Sequence, residues 1–215
     1  MKTNLTELVF ILDKSGSMSG LESDTIGGFN AMLKKQQGEP GEAVVTTVLF
    51  SDGYELLHDR TSIKGLRPIT DDDYFVGGCT ALLDAIGKTI HKIVNAQKYS
   101  AEEQRADKVL FVITTDGLEN ASREYSYDKI KDMVEKQKAK YGWEFIFLGA
   151  NIDAIATAAR FGINTDRAAN YHADSEGTKL NYEAVSDFVS DIRACKEISE
   201  NWKEKIDEDF ARRGR

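Results

Sequence analysis

The sequence has few cysteines and no long apolar run, and each absence excludes a class of protein. Its 2 cysteines, Cys79 and Cys195, among 215 residues are too few for the disulfide framework of a small secreted domain. No segment approaches the roughly 18 consecutive apolar residues that a membrane-spanning helix requires. The chain runs from Met1 almost directly into its first apolar segment, so we expect no signal peptide. We therefore expect reduced thiols and a cytoplasmic protein.

The chain is also short of positive charge and of histidine. Its 28 lysines and arginines are outnumbered by 36 aspartates and glutamates, which gives a formal net charge of −8. An acidic protein repels phosphate backbones and anionic headgroups, so we expect neither nucleic acid nor a membrane as a partner. The 3 histidines, His58, His91 and His172, have no zinc-ligand spacing with one another or with cysteine. The sequence therefore does not indicate a zinc site.

What remains is the composition of an ordinary globular domain. Hydrophobic residues make up 41% of the chain, which is typical of soluble proteins. Apolar segments of strand length alternate with segments of helical period. This alternation predicts an α/β fold, with a doubly wound, mostly parallel sheet and helices on both faces. We expect residues 1–200 to form this single domain and residues 201–215 to form a charged helical tail that frays.

The individual elements follow from apolar periodicity and turn residues. Helices are predicted at 22–37, 83–99, 126–141, 153–161 and 185–195. Strands are predicted at 8–12, 44–50, 54–58, 109–113, 144–148 and 168–172. Ser51-Asp52-Gly53 is a hairpin turn signal, and a tight hairpin reverses the chain direction. The strand at 54–58 is therefore predicted to be the one antiparallel edge strand.

The most informative segment is Asp13-Lys14-Ser15-Gly16-Ser17, directly after the apolar run at 8–12. That run has no helical period, so it predicts a strand buried on both faces. Alternate residues of an extended segment point the same way, which lets oxygens of Asp13, Ser15 and Ser17 converge on one point. Hard cations such as Mg²⁺ prefer oxygen ligands in near-octahedral geometry. Taken alone the pattern is weak, because serine and aspartate are also common turn and cap residues.

Two distant segments repeat this chemistry. The apolar run at 109–113 ends in Thr114-Thr115-Asp116-Gly117, which places a second carboxylate at a strand end. Between the two strands, the loop Gly77-Gly78-Cys79-Thr80 delivers a hydroxyl just before an apolar-periodic helix. Ligands in open parallel sheets bind outside the carboxyl ends of the strands, where the strand order reverses. We therefore predict one crevice holding five candidate metal ligands: Asp13, Ser15, Ser17, Thr80 and Asp116.

These segments resemble the metal-ion-dependent adhesion site of the von Willebrand factor A (vWA) domain. That site consists of D-x-S-x-S, a threonine in a Gly-rich loop and an aspartate in a T-D-G strand end. All five positions are present in order, and the resemblance extends from Leu5 to Cys195. It implies a Rossmann-like vWA fold that binds Mg²⁺ or Mn²⁺, with Ca²⁺ as a third candidate. One departure is Cys79, where a small hydroxyl residue is usual in the family.

The resemblance also implies roles for the ligands. In the family the two serines ligate the metal directly, the threonine ligates it directly or through water, and the two aspartates act mainly through water. An acidic residue, Glu or Asp, of a partner protein takes an open position on the metal. No residue of the motif is an obvious nucleophile or base. The favoured hypothesis is therefore an intracellular, metal-dependent protein-interaction module without enzyme activity, similar to stand-alone bacterial vWA proteins that serve as adaptors.

Two alternative functions stay open. The first is a metal-dependent hydrolase of phosphate or nucleotide esters, in which Asp13 or Asp116 would be the base. The second is a component of an RNA–protein scaffold, as in the ring-shaped proteins that also carry this domain. The acidic composition disfavours the second alternative.

Several other polar residues also have more than one interpretation. Asp71-Asp72-Asp73 is either a solvated acidic loop or an extension of the metal site. Cys79 is either a small packed residue or a thiol that acts beside the site. Glu119 and Asn120 could line the rim of the crevice, and helix capping by Asn120 or Ser122 is an equal alternative.

Overall fold

The computed structural model describes residues 4–196, 198–199 and 201–214. Its centre is a six-stranded sheet in the order β3-β2-β1-β4-β5-β6. The strands are β1 Leu5–Asp13, β2 Glu42–Phe50, β3 Tyr54–Ser62, β4 Lys108–Thr115, β5 Glu144–Ala150 and β6 Ala168–Tyr171. The helices are α1 Glu22–Gly38, α2 Leu82–Tyr99, α3 Tyr127–Tyr141, α4 Ala154–Arg160, α5 Ser175–Arg193 and α6 Glu204–Arg213.

The strand directions confirm the predicted fold class. Four neighbouring pairs are parallel, and only β2 and β3 pair antiparallel. The antiparallel strand lies at the edge of the sheet, as the hairpin signal predicts. It continues to Ser62, beyond the predicted end at residue 58, and its pairing with β2 shifts register between Val45 and Thr47. Arg60, opposite this irregularity, takes a φ of 45°.

Alternate residues of the central strands face opposite helical layers. In β1, Leu8, Phe10 and Leu12 belong to a core that α1 and α5 cover. Val9 and Ile11 belong to a second core, on the side of α2, α3 and α4. All five side chains are at most 2% exposed. A strand buried on both faces needs apolar residues at every position, which is why this run shows no periodicity.

The helix boundaries follow from local capping. Asp174 accepts a hydrogen bond from the Gly177 backbone N–H at 2.9 Å and begins α5 ten residues before the predicted start at 185. The apolar stripe misses this half of the helix because its inward residues, such as Thr178 and Asn181, are polar although buried.

In the described part of the chain, no helix combines the length and the apolar character that crossing a membrane requires.

The charged C-terminal segment forms α6 and packs against β6, where we expected a helix that frays. Ile206 is 2% exposed and belongs to the core that α1 and α5 cover. The Arg213 guanidinium lies 2.5 Å from the Asp174 carboxylate at the start of α5. The apolar anchor and the ion pair hold this helix on the edge of the sheet. The described residues of this segment thus form a packed helix, while the division of the chain into a domain at 1–200 and a tail at 201–215 stays a prediction.

The strand order reverses at β1, which lies between β2 and β4. In open α/β sheets, ligands bind in the crevice outside the carboxyl ends of the strands at this point. Leu12 pairs with Thr114, so the strand ends at Asp13 and Thr115 lie side by side. The fold thus brings the two predicted carboxylate segments to the same crevice.

Candidate metal centre

Asp13 ends β1 and is held by donors from the loop that follows it and from the end of β4. It is 1% exposed. Its Oδ1 accepts a hydrogen bond from the Ser15 backbone N–H at 2.7 Å, and its Oδ2 accepts one from the Thr115 hydroxyl at 2.6 Å. The buried Tyr74 hydroxyl donates to the Asp13 backbone carbonyl. Asp13 therefore orients the loop that follows it. Its supports Thr115 and Tyr74 were not predicted from the sequence.

The two serines of the motif present their hydroxyls together. Ser15 is 1% exposed and has extended backbone, with φ −68° and ψ 169°. A short 3₁₀ turn at Gly16–Met18 follows, and Ser17 within it is exposed. The Ser15 and Ser17 Oγ atoms lie 3.0 Å apart. The convergence that the D-x-S-x-S spacing predicts is present in the structure.

The Thr80 loop is fastened to the serine loop through backbone hydrogen bonds. The Gly16 N–H donates to the Gly78 carbonyl at 3.1 Å, and the Gly77 N–H donates to the Lys14 carbonyl at 2.9 Å. Gly78 takes a φ of 81°, which is accessible to glycine and strained for other residues. These contacts bring Thr80, itself 3% exposed, beside the serines.

Gly117 shows how closely the hydroxyls of the two loops approach each other. A Cβ atom placed on it would lie 3.0 Å from the Ser17 Oγ and 3.3 Å from the Thr80 Oγ1. Both hydroxyls therefore lie against the backbone that directly follows Asp116. Ser15, Ser17, Thr80 and Asp116 thus surround one small space at the ends of β1 and β4.

Asp116 is the least satisfied polar group of this space. Its side chain is 2% exposed, and its Oδ1 accepts no hydrogen bond from any described residue. Burial raises the pKa of this carboxyl, and the negative charge of Asp13 raises it further, while a hydrogen bond from the Ser17 hydroxyl lowers it. Burial also raises the pKa of Asp13, although Ser15 and Thr115 donate to it. Two buried carboxylates here lack a compensating positive charge.

A divalent cation fits this arrangement. The site offers three hydroxyl oxygens and a carboxylate oxygen without a donor, and hard cations take such ligands. Within the described ranges, no three His, Cys, Asp or Glu side chains cluster as a metal site. A cation at this crevice would therefore rest largely on neutral hydroxyls. The assignment of the five residues as ligands stays a prediction.

Asp73 and the three histidines have their contacts outside this space. The Arg67 guanidinium donates two hydrogen bonds of 2.9 Å to Asp73, and these lower the pKa of Asp73 to about 2. Asp73 is thus a paired carboxylate rather than an extension of the metal site. Each histidine contacts a residue outside the crevice: His58 with Thr47, His91 with Tyr125 and His172 with Phe210.

The space at Gly117 gives a first prediction. Gly117→Ala would place a methyl group between the Ser17 and Thr80 hydroxyls, at the distances given above. The φ of Gly117 lies outside the left-handed region, so the backbone tolerates alanine and only the crowding acts. We expect Mg²⁺ affinity to fall about 10-fold or more, as when the supports of metal ligands are disturbed, with an unchanged melting midpoint in EDTA. Gly53→Ala, in an open turn, is the control, and calorimetric titration showing equal affinity for both variants would contradict the assignment.

Sequence comparisons do not place the chain in a family. It matches no protein-family model, and no curated protein matches it significantly. Solved structures do match its fold. Proximal thread matrix protein 1 from the mussel byssus is 13% identical, with a TM-score of 0.57 over 86% of this chain and 46% of that chain. Another structure of that protein has a zinc-occupied MIDAS motif.

Two further matches carry the domain in their names. The von Willebrand factor type A protein from Catenulispora acidiphila is 12% identical, with a TM-score of 0.56 over 86% of this chain and 42% of that chain. The ArnB paralog VWA2 from Sulfolobus acidocaldarius is 17% identical, with a TM-score of 0.54 over 86% of this chain and 45% of that chain. The order of the strands, the position of the crevice and the likeness to these solved structures together define a doubly wound α/β domain. The chain has the vWA fold, and it spans less than half the length of these solved chains.

Proposed function

We propose that this chain is a metal-dependent protein-interaction module. It binds Mg²⁺ or Mn²⁺, with Ca²⁺ as the third candidate, through Asp13, Ser15, Ser17, Thr80 and Asp116. One observation carries the proposal: hydroxyls of two loops converge beside the buried Asp116 Oδ1, which accepts no hydrogen bond from the described residues. The zinc-occupied MIDAS motif of a structurally similar protein supports a divalent cation.

The ligand types explain what such a site does. Ser15, Ser17 and Thr80 would hold the cation through neutral oxygens, and Asp13 and Asp116 would orient them and the waters between. A bound cation would supply a positive charge that is under-neutralised and an open coordination position for an external carboxylate. The role of the protein is to hold these oxygens in place. We propose binding without catalysis.

The rim of the crevice favours a protein as the partner. Five large hydrophobic side chains are exposed in the described part of the chain. Two of them have no polar atom and are more than half exposed: Phe75 at 63% and Leu118 at 66%. Phe75 contacts Lys14, its ring centroid 4.5 Å from the Lys14 Nζ, and Leu118 directly follows Gly117. Exposed apolar residues around a polar centre are typical of protein interaction sites.

The charges around the crevice make this interaction depend on the metal. Lys14 Nζ is 2.5 Å from Glu55 Oε2, so its charge is already paired. The Asp52 carboxylate lies against Gly78, where an added Cβ would be 1.9 Å from its Oδ1. With a net charge of −8, this surface repels an incoming Glu or Asp unless a cation reverses the local sign. An acidic partner residue should therefore bind only to the metal-loaded form.

The partner interaction gives a second prediction. We expect a partner isolated with the wild type in Mg²⁺ to be released by EDTA and recaptured on adding Mg²⁺ or Mn²⁺. Thr80→Ala should bind it at least about 10-fold more weakly, because one oxygen of the site is lost. Thr61→Ala is the control and should bind normally. Thr61 pairs with Val45 near the start of β2, at the other end of the strands from the crevice. A partner that binds equally well in EDTA and to Thr80→Ala would refute this use of the crevice.

One observation supports a second candidate, the hydrolase of phosphate or nucleotide esters. A carboxyl with a raised pKa and an oxygen without a donor, as at Asp116, has the properties of a general base. Incubation with Mg²⁺ and 4-nitrophenyl phosphate tests it. Turnover that is lost in Asp116→Asn would favour the hydrolase, whereas no turnover above a Ser15→Ala control would favour the binding module.

We place the interaction inside the cell. Cys79 and Cys195 are both free and exposed, and exposed unpaired thiols persist best in a reducing compartment. The stand-alone bacterial type and the RNA–protein scaffold alternative stay predictions. A thiol titration of protein prepared without added reductant, with two reactive thiols per chain expected, tests the redox part of this proposal.

A further inference from the structure

A reciprocal pair of hydrogen bonds connects Asn120 to the residue that presents the loop hydroxyl. The Thr80 backbone N–H donates to the Asn120 Oδ1 at 2.9 Å, and the Asn120 backbone N–H donates to the Thr80 carbonyl at 3.0 Å. Both backbone groups of Thr80 are therefore occupied by one residue of the segment that follows Asp116. The side chain of Asn120, which is exposed, thus contacts the backbone of Thr80 rather than its hydroxyl.

The neighbours of Asn120 fasten the same segment to the start of α2. Glu119 Oε2 accepts from the Leu83 N–H at 2.9 Å, and Ser122 Oγ accepts from the Asp84 N–H at 3.0 Å. Asp84 in return accepts from the backbone N–H groups of residues 123, 124 and 125 at 2.9–3.0 Å. The segment 119–125 and the first turn of α2 thus form one cross-braced unit.

This bracing resolves the two interpretations of the segment. Glu119 and Ser122 cap α2, the helix that follows Thr80, because their oxygens accept from its first N–H groups. The next helix along the chain, α3, is capped by Ser126, whose side chain accepts from the Lys129 N–H. Asn120 caps neither helix. Its side chain is left with one described role, the contact to Thr80.

We propose that Asn120 is the positioning residue for Thr80, fixing its hydroxyl at the distance from Ser17 and Gly117 that a cation requires. The inference rests on the proposed metal site. Thr80 sits in a loop that begins with two glycines, and Gly78 has a left-handed φ, so the loop has little stiffness of its own. Asn120 couples it to the strand end that carries Asp116. The Thr80 hydroxyl and the Asp116 carboxylate are therefore held as one unit.

Three substitutions and one matched control test this role. Asn120→Ala removes the acceptor, Asn120→Leu removes it while keeping the branched shape, and Asn120→Asp keeps an accepting oxygen. Asn30 is the control, because it also holds both backbone groups of one loop residue, in a loop that carries no candidate ligand. It does so through its side chain alone: Nδ2 donates to the Ile69 carbonyl at 2.8 Å, and Oδ1 accepts from the Ile69 N–H at 2.9 Å. Asn30→Ala removes two side-chain hydrogen bonds where Asn120→Ala removes one, so it should cost at least as much stability without affecting the crevice.

We expect Mg²⁺ affinity, measured by calorimetric titration, to fall about 10-fold or more in Asn120→Ala and Asn120→Leu. Asn120→Asp should stay within about 3-fold of wild type in molar salt, where the screening length of about 3 Å removes the attraction of the added charge. Asn30→Ala should bind Mg²⁺ like wild type. Hydrogen exchange adds a readout without metal: the Thr80 amide should lose protection in Asn120→Ala and keep it in Asn30→Ala.

The outcomes separate this inference from the proposed function. A wild type that does not bind Mg²⁺ refutes the metal site, and the positioning role with it, whatever the exchange of the Thr80 amide shows. A wild type that binds Mg²⁺, with Asn120→Ala binding equally well, refutes only the positioning role. Equal losses in Asn120→Ala and Asn30→Ala, or an Asn120→Asp variant as weak as alanine, would also overturn it.

Discussion

Ser15→Ala should reduce Mg²⁺ affinity at least about 100-fold, because removing the supports of metal ligands already costs 10–100-fold and Ser15 is a predicted direct ligand. The Ser15 hydroxyl is buried and lies 3.0 Å from the Ser17 hydroxyl. A factor of 100 corresponds to about 2.7 kcal/mol. The Ser15 backbone N–H keeps its hydrogen bond to Asp13, while the hydrogen bond from the Ser15 side chain to Asp13 is lost. The loss of a single hydrogen bond is worth only about 1 kcal/mol, so the main effect should be on the metal.

Ser19→Ala is the matched control for this substitution. Ser19 lies in the same loop, is exposed and is not a candidate ligand. Calorimetric titration with Mg²⁺ and thermal melting in EDTA should be run on both variants. The melting midpoint of Ser19→Ala in EDTA should agree with wild type within experimental error, and that of Ser15→Ala should fall only by the loss of one hydrogen bond, about 1 kcal/mol. A Ser15→Ala variant that binds Mg²⁺ as tightly as Ser19→Ala would remove the serine hydroxyls from the site.

Asp116→Asn should stabilise the metal-free protein and abolish its stabilisation by Mg²⁺. The Asp116 carboxylate is buried beside Asp13, and its Oδ1 has no described donor. A neutral amide of the same shape removes the cost of burying that charge. We expect a gain of about 1 kcal/mol in the free energy of unfolding in EDTA, or roughly 2–4 °C in the midpoint for a domain of this size.

Magnesium should invert this order. At 100 times the dissociation constant, linkage adds about 2.7 kcal/mol to a protein that binds the ion, so wild type should then melt above Asp116→Asn. Wild type should stay folded in EDTA, since neither apolar core includes a candidate ligand, and far-UV circular dichroism should not change on chelation. An Asp116→Asn protein less stable than wild type in EDTA would show that the carboxylate is satisfied without a cation.

The pH dependence of this difference has a defined sign. Burial raises the pKa of Asp116 above its ordinary value of 3.8. At pH values between the ordinary pKa and the raised pKa, the folded state therefore binds more protons than the unfolded state. Wild-type stability from this group is therefore lost as pH rises through the raised pKa. In EDTA, the advantage of Asp116→Asn over wild type should be larger at pH 7 than near pH 4.

The fold could be predicted from the sequence where a strand is buried on both faces or where a helix buries a single apolar face. The run at Leu8–Leu12 predicted a central strand because both its faces are covered, and the apolar stripe of α2 predicted that helix to within one residue of its start at Leu82. The first half of α5 was missed because Thr178 and Asn181 are polar residues buried by tertiary packing. The packing of α6 was missed because its charge pattern hides two apolar contacts: Ile206 in the core and Phe210 stacked on His172.

Of the site, the sequence predicted that the candidate ligands lie at one crevice and nothing of the contacts that support them. Residue order fixed which oxygens lie at strand ends, and the sheet topology then brought Asp13 and Asp116 together. The supporting contacts were not predictable, because Thr115 to Asp13 and Asn120 to Thr80 join positions far apart in sequence. The Asn120 segment had two equal interpretations, and only the positions of the Thr80, Leu83 and Asp84 backbone groups decided between them.

The most direct test of the central claim is an anomalous difference map from a crystal of this protein grown or soaked with Mn²⁺. We predict one strong peak in the crevice, within about 2.5 Å of the Ser15 and Ser17 hydroxyl oxygens, since hard cations of this class lie about 2.0–2.6 Å from their oxygen ligands. The peak should also lie near the Thr80 hydroxyl and the Asp116 carboxylate, and it should be absent after soaking in EDTA. A map with no peak among these residues, or with its peak elsewhere on the chain, would contradict the account.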